Sequence, residues 1–238
     1  MNGILLIDKP REWTSFDAVN KTRRIIQYSD LNVTHKKRFP VGHTGTLDPL
    51  ATGLLVLLLG KYTKRAPALT KLDKTYEVTM RLGMTSTTGD EEGDKTTVSD
   101  VQPSQEAVEA ALRQFQGDIM QKPPIYSAIK INGQRAYKLA RAGKAPEMEA
   151  RPATIRSIQL TGYAYPIVTF TAEVSSGTYI RSLVEDIGAV LQTGAYMSDL
   201  RRTKVGQFTI ANAITIDALS PEAIEAHAFQ LDEEPAET

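Results

Sequence analysis

Asp48 stands before Pro49 in the stretch Gly42-His43-Thr44-Gly45-Thr46-Leu47-Asp48-Pro49-Leu50-Ala51-Thr52-Gly53, which runs into the apolar block Leu54-Leu55-Val56-Leu57-Leu58-Leu59. A residue before proline is pushed out of the helical region, so this carboxylate leaves from a fixed backbone. A glycine-punctuated loop pinned to a short buried strand can present such a group as a nucleophile or a base, with the imidazole of His43 close by in the chain. The plainer reading is an Asx-turn that only orders the loop. The glycines fit neither G-x-x-x-x-G-K-[ST] nor G-x-G-x-x-G, so a nucleotide-cradling loop is disfavoured. With no cysteine there is no thiolate nucleophile and no Cys-ligated metal, and His35, His43 and His227 lack metal-ligand spacing. Neither a metal nor any other cofactor is expected.

The elements that must position these residues follow from periodicity. Gly3-Ile4-Leu5-Leu6-Ile7-Asp8, closed by Lys9-Pro10, reads as a buried strand. Thr14 or Ser15 can cap a basic helix ending near Tyr28, with Phe16, Val19, Ile25 and Ile26 as its apolar stripe. A second basic helix is expected over Lys61 to Lys71. Lys74 to Leu82 alternates with period two, which predicts a half-buried strand with Tyr76, Val78, Met80 and Leu82 on one face. Ser104 opens a helix that stops at Gly117. Pro123-Pro124 marks an excursion from the core, and a short helix is expected from Gln134 to Arg141. Strands are read from Ala153 to Gly162 and from Ile167 to Val174, then a helix whose stripe is Ile180, Leu183, Val184, Ile187 and Leu191. Arg181 falls in its first turn, where the helix dipole disfavours a cation and invites an anionic partner. The acidic loop Leu82 to Asp94 fails the EF-hand pattern because Val101 sits where a glutamate is required.

The 238 residues carry 28 basic and 28 acidic side chains, a formal net charge of zero. The distribution is uneven. Lys21, Arg23, Arg24, Lys36, Lys37, Arg38, Lys61, Lys64, Arg65, Lys71 and Lys74 crowd the first third, whereas no Lys or Arg follows Lys204. This fits a nucleic-acid-facing surface with an acidic tail, and it fits two ordinary solvated faces equally well. The longest apolar run is too short to span a bilayer and the start lacks a secretory signal, so a cytoplasmic protein is expected.

The stretch from Gly42 to Leu55 resembles the catalytic-loop motif of the TruB family, the bacterial tRNA pseudouridine-55 synthases, with the aspartate in register. The resemblance implies that Asp48 is the essential catalytic residue and that His43 helps evict the target base. Lys74-Thr75-Tyr76 matches K-x-Y, which gives Tyr76 the role of stacking on that base. Lys9-Pro10 with Thr14-Ser15 matches K-P-x-G-x-T-S, although Glu12 stands where glycine is usual. A segment similar to Leu82 to Gly93 borders the family's active site, which brings in Asp90. Pro123-Pro124-x-Tyr126-Ser127-Ala128-x-Lys130-x-x-Gly133 belongs in the family to an insertion that clamps the RNA stem-loop, here about 121–152. Lys130, Arg141 and Lys144 are then candidate phosphate contacts, as is Lys64 in the basic segment. Gly177-Thr178-Tyr179-Ile180-Arg181 matches S-K-G-T-Y-I-R, with Ser176 in place of the lysine. It implies that Arg181 pairs with the catalytic aspartate and adds Tyr179 as a substrate contact. Leu200 corresponds to a residue that lines the uracil pocket.

The resemblance covers about residue 3 to residue 210. It implies an α/β (α+β) pseudouridine synthase fold, a mixed, mainly antiparallel sheet flanked by helices. The expected organisation is a catalytic domain over 1–215, with the flap inserted, then a short helix and acidic tail over 216–238. No PUA domain is expected in a chain of this length. The implied activity is isomerisation of a T-loop uridine of tRNA by a monomer that binds the T-arm. A non-catalytic tRNA-binding or tRNA-folding module on the same fold is the alternative; it would tolerate loss of Asp48. A glycosidase using Asp48 and Asp90 as paired carboxylates is a third reading.

Overall fold

The computed structural model describes residues 1–33, 37–127, 129–131, 134–136 and 147–231. The chain divides into two compact units, residues 1–74 with 201–238, and residues 75–200.

In the first unit, strand Gly3–Lys9 lies antiparallel to strand Thr52–Leu59, in register from Gly3↔Leu59 to Lys9↔Gly53, and parallel to Ile214–Thr215. The short strand Val41–His43 and, in parallel, Arg201 and Arg202 also pair with Thr52–Leu59. Both faces are covered. Leu5, Ile7, Leu55, Leu57 and Leu59 pack with Ala18, Val19 and Ile26 of helix Ser15–Gln27, while Ile4, Leu6, Leu54, Val56 and Leu58 pack with Tyr62, Leu69, Val205 and Phe208. Burial on both sides is why these strands read as unbroken apolar runs instead of alternating. Thr14 caps the helix in a capping box with Asp17. Phe16 leaves the expected stripe: it is 58% exposed, and Ser15, Ala18, Val19, Thr22 and Ile26 form the buried face. Ser15 takes the inward place because its hydroxyl is engaged with the backbone of Leu47. The expected helix over Lys61 to Lys71 is a 3₁₀ turn, Gly60–Arg65, followed by one α-turn, Ala66–Leu69.

In the second unit the strand order is 195–200 of strand Ala195–Val205, 75–82 of strand Lys74–Leu82, then Ile167–Val174, Arg151–Ala164 and Gly117–Gln121. Lys74–Leu82 buries every second residue, Tyr76, Val78, Met80 and Leu82 among them, as the alternation predicts. Helices Gln105–Gln114 and Ile180–Val190 flank this sheet. The sheets are mixed and mainly antiparallel, in agreement with the expected class. One local expectation shifts: Gln134–Arg135 is a two-residue strand paired with Lys130–Ile131, and helical backbone starts at Ala136. The pairing Lys130↔Arg135 and Ile131↔Gln134 gives Gln134 and Arg135 extended, cross-strand partners in place of the first turn of a helix. The rest of that expected helix, Tyr137 to Arg141, lies outside the described residues.

Candidate active site

Asp48 sits in irregular backbone between strands Val41–His43 and Thr52–Leu59, and its side chain is exposed. The loop around it is held from beneath by buried donors. Ser15 receives the Leu47 N–H at 2.8 Å and donates to the Leu47 carbonyl at 3.0 Å. The Glu12 N–H donates to the Pro49 carbonyl at 2.8 Å. Glu12 takes φ +68°, so the backbone keeps the left-handed conformation that glycine adopts without penalty and this residue adopts at a cost of about 1 kcal/mol. Gly53, at φ +98°, cannot be replaced in this way, because an added Cβ would lie 2.3 Å from the Arg202 carbonyl oxygen.

Three cations have their charges inside this unit. Arg202, 1% exposed, donates from Nε to the Leu54 carbonyl at 2.8 Å, from Nη2 to Gly45 at 3.0 Å and from Nη1 to Thr46 at 3.4 Å. Lys9, fully buried, donates from Nζ to the carbonyls of Trp13 at 2.7 Å, Pro10 at 2.9 Å and Pro49 at 3.4 Å. Lys74 donates to the carbonyls of Thr70 and Leu72, each at 2.6 Å. Burial pulls the Lys9 ammonium down to about 8; the Asp48 carboxylate works against that shift and the Arg202 charge adds to it. Lys74 is likewise lowered to about 8, first by burial and then by Arg202. Lys74 therefore does not belong to the exposed basic face, whereas Lys64 is exposed. His43 accepts the Gly45 N–H on Nδ1 at 3.3 Å. Burial, then the nearby Arg202 charge, hold its imidazole below the usual histidine range, so the ring is neutral near pH 7.

In the second unit Arg181 is the second residue of helix Ile180–Val190, and it is only 8% exposed. Its guanidinium reaches the Asp90 carboxylate at 3.5 Å, the Thr88 carbonyl at 3.1 Å and the Tyr126 carbonyl at 2.9 Å. The anionic partner that a cation in a first turn calls for is thus present in Asp90. Asp90 is itself buried and accepts from Thr88 Oγ1 at 2.5 Å and from the Glu92 N–H at 3.1 Å. Glu185, one turn further along the helix, lies against Gly89, and burial raises its carboxyl above the usual range. Tyr76 and Leu200 are both buried, on the neighbouring strands Lys74–Leu82 and Ala195–Val205. Tyr179 is the N-cap of the Arg181 helix. Lys130 is in the small hairpin strand, and Arg141 and Lys144 lie outside the described residues.

Two family models match consecutive stretches of the chain, from residue 32 to residue 235. One, described as TruB family pseudouridylate synthase (N terminal domain), covers residues 32–180, more than half of the chain; the other, tRNA pseudouridylate synthase B C-terminal domain, covers 181–235. The chain belongs to the TruB family. A tRNA pseudouridine synthase B of Burkholderia pseudomallei (strain 668) is 49% identical over 219 residues, covering 92% of this chain and 69% of that protein. One from Pseudomonas aeruginosa (strain UCBPP-PA14) is 45% identical over 232 residues, covering 94% and 73%. Among solved structures, a chain of a Cbf5–Nop10–Gar1 complex superposes with a TM-score of 0.69 at 30% identity; the match takes in 91% of this chain and 53%, about half, of that one. A structure of an H/ACA RNP bound to a substrate RNA containing 2′-deoxyuridine gives 0.66 at 28% identity, with 91% and 52% covered. The TruB motifs read in the sequence therefore map onto two sets of side chains: His43 and Asp48 with Lys9 and Arg202 in the first unit, and Arg181 with Asp90 in the second. The sequence motifs assign no role to Lys9 or Arg202 in holding this loop. Lys9 gives one signal, since it continues the phase of Leu5 and Ile7 in a strand buried at every residue but Asp8.

Proposed function

We propose that this chain isomerises uridine 55 in the T-loop of tRNA to pseudouridine, acting as a monomer in the cytoplasm. The observation that carries the reading is an aspartate before proline, exposed on a loop whose backbone is fixed by Ser15, Glu12, Lys9 and Arg202, in a TruB family member. The reaction breaks N1–C1′ and forms C5–C1′. The C5 proton is lost and a proton is bound at N1, so no electron leaves and no energy input is needed.

A base inside a folded loop must be unstacked first, at a cost of a few kcal/mol. His43, neutral and set by the Gly45 N–H, offers an uncharged polar ring for that step. Tyr76 offers an aromatic ring and Leu200 an apolar wall for the uracil. Asp48 acts on the ribose, as nucleophile or as base. Arg181 supplies the fixed positive charge for a reaction that passes through separated charge, and Asp90 with the Thr88 and Tyr126 carbonyls sets its direction. Tyr179, Lys64, Lys130 and Arg141 contact the RNA, and the stretch about 121–152 clamps the stem-loop. The test is carbodiimide labelling of an unmodified tRNA transcript after incubation with the protein. A single adduct at the T-loop uridine is expected, and binding without any adduct would overturn the reading in favour of a tRNA-binding module.

A further inference from the structure

The last residues before the double proline do more than end a strand. Gln121 closes strand Gly117–Gln121, and its side chain is turned inward, 3% exposed. Its amide Nε2 donates to the Tyr179 carbonyl at 3.0 Å, and its Oε1 accepts the Tyr179 N–H at 2.8 Å. The side-chain amide thus pairs with one residue's backbone as a neighbouring strand would, satisfying both of its polar groups at once. The next residue repeats the attachment, since the Ser182 hydroxyl donates to the Lys122 carbonyl at 2.8 Å. A third tie follows in the bond from Arg181 Nη2 to the Tyr126 carbonyl.

These ties matter because of where they fall. Tyr179 is the N-cap of helix Ile180–Val190, and its own side chain makes no capping bond. Capping is what fixes the first turn of a helix, and here that turn carries a buried arginine that the dipole disfavours. Fixing both polar groups of Tyr179 fixes the backbone from which Arg181 departs.

We propose that Gln121 is a positioning residue for the reaction: its amide clamps the backbone of Tyr179 and so sets the direction of the Arg181 guanidinium. The proposal rests on the function argued above for Arg181. Gln121 touches no reacting atom; it acts through Arg181.

Two variants separate positioning from plain support. Gln121→Ala removes both bonds, and should lower the single-turnover rate of pseudouridine formation at saturating tRNA about 10- to 100-fold. Gln121→Glu keeps the shape and one acceptor but, ionised, faces the Tyr179 carbonyl without a donor. A carboxyl buried there gains its proton as pH falls and with it the missing donor, so the rate of Gln121→Glu relative to wild type should rise from pH 8 to pH 6. A rate within about twofold of wild type in folded Gln121→Ala, or a Gln121→Glu ratio flat with pH, overturns the proposal. A reading independent of turnover is the Nε–Hε NMR signal of Arg181 in the free protein. It should shift or broaden in Gln121→Ala, and a signal that does not move also overturns the proposal. A wild-type protein that forms no pseudouridine defeats the functional reading instead, and the NMR signal still decides whether Gln121 orients Arg181.

Discussion

The loop around Asp48 and the helix start around Arg181 both depend on buried cations, and they use them in opposite ways. Around Asp48 the group proposed to act is exposed, while Lys9 and Arg202 direct their charge onto the carbonyls of Gly45, Thr46, Pro49 and Leu54. Around Arg181 the cation is itself the group proposed to act, and a carboxylate with two carbonyls is arranged to hold it. In the first region the buried cations belong to the scaffold; in the second the buried cation carries the proposed chemistry. Substitution of a buried cation should therefore cost stability in the first region and activity in the second.

The largest effect should come from Asp48→Asn, which removes the acting group and leaves the scaffold. Turnover should fall below about one per cent of wild type, more than about 2.7 kcal/mol, with tRNA affinity within a few-fold. Because the side chain is exposed, the unfolding free energy should move by less than about 0.5 kcal/mol. A large drop in stability would erase the first half of the comparison.

Arg202→Met is the mirror case. It leaves three carbonyls in a buried setting without their donor, at about 1 kcal/mol or more each, so a loss of roughly 3–4 kcal/mol is expected in urea unfolding. A loss under about 1 kcal/mol would show that the loop does not need the cation beneath it.

Arg181→Lys should cost activity by about a hundredfold, close to 2.7 kcal/mol, although the charge is kept. A planar fork reaches Thr88, Tyr126 and Asp90 together, and a single ammonium cannot. Near-wild-type rates would mean that charge alone suffices and geometry does not.

These predictions also show what the sequence could tell. The continuous runs Gly3 to Asp8 and Leu54 to Leu59, the alternation from Lys74 to Leu82 and the stripe from Ile180 mark their elements because periodicity registers burial directly. The TruB motifs mark Asp48 and Arg181 by identity and register. Neither signal says where a long cationic side chain ends. Lys74 looks in sequence like its exposed neighbour Lys71, and only the fold turns its ammonium onto Thr70 and Leu72. Gln121 looks like a polar residue before a turn, and its partner Tyr179 is distant in the chain. Phe16 looks like core until Ser15 takes the inward place. Contacts between distant residues are set by tertiary packing, which local pattern does not encode.

The smallest effect sharpens the comparison by pH. In the folded chain the Lys9 ammonium titrates at about 8, against 10.5 for an ordinary lysine. Below about pH 8 both folded and unfolded chains hold the proton, and the folded state bears the full cost of burying it. Between 8 and 10.5 the folded chain releases the proton while the unfolded chain keeps it, so this group's contribution to stability rises with pH and is lost again as pH falls through 8. Lys74, lowered to about 8 for the same cause, adds a slope of the same sign. Other groups titrate over this range, so the measurement is a difference: unfolding free energies of wild type and Lys9→Met at pH 8 and pH 10. The gap should move by about 2 kcal/mol in favour of wild type at the higher pH. The same comparison with Gln121→Ala should show no such movement, because that variant alters no titrating group in the Asp48 scaffold. Parallel curves for Lys9→Met would mean that its ammonium is solvated after all, and that the Asp48 loop rests on Arg202 and backbone bonds without it.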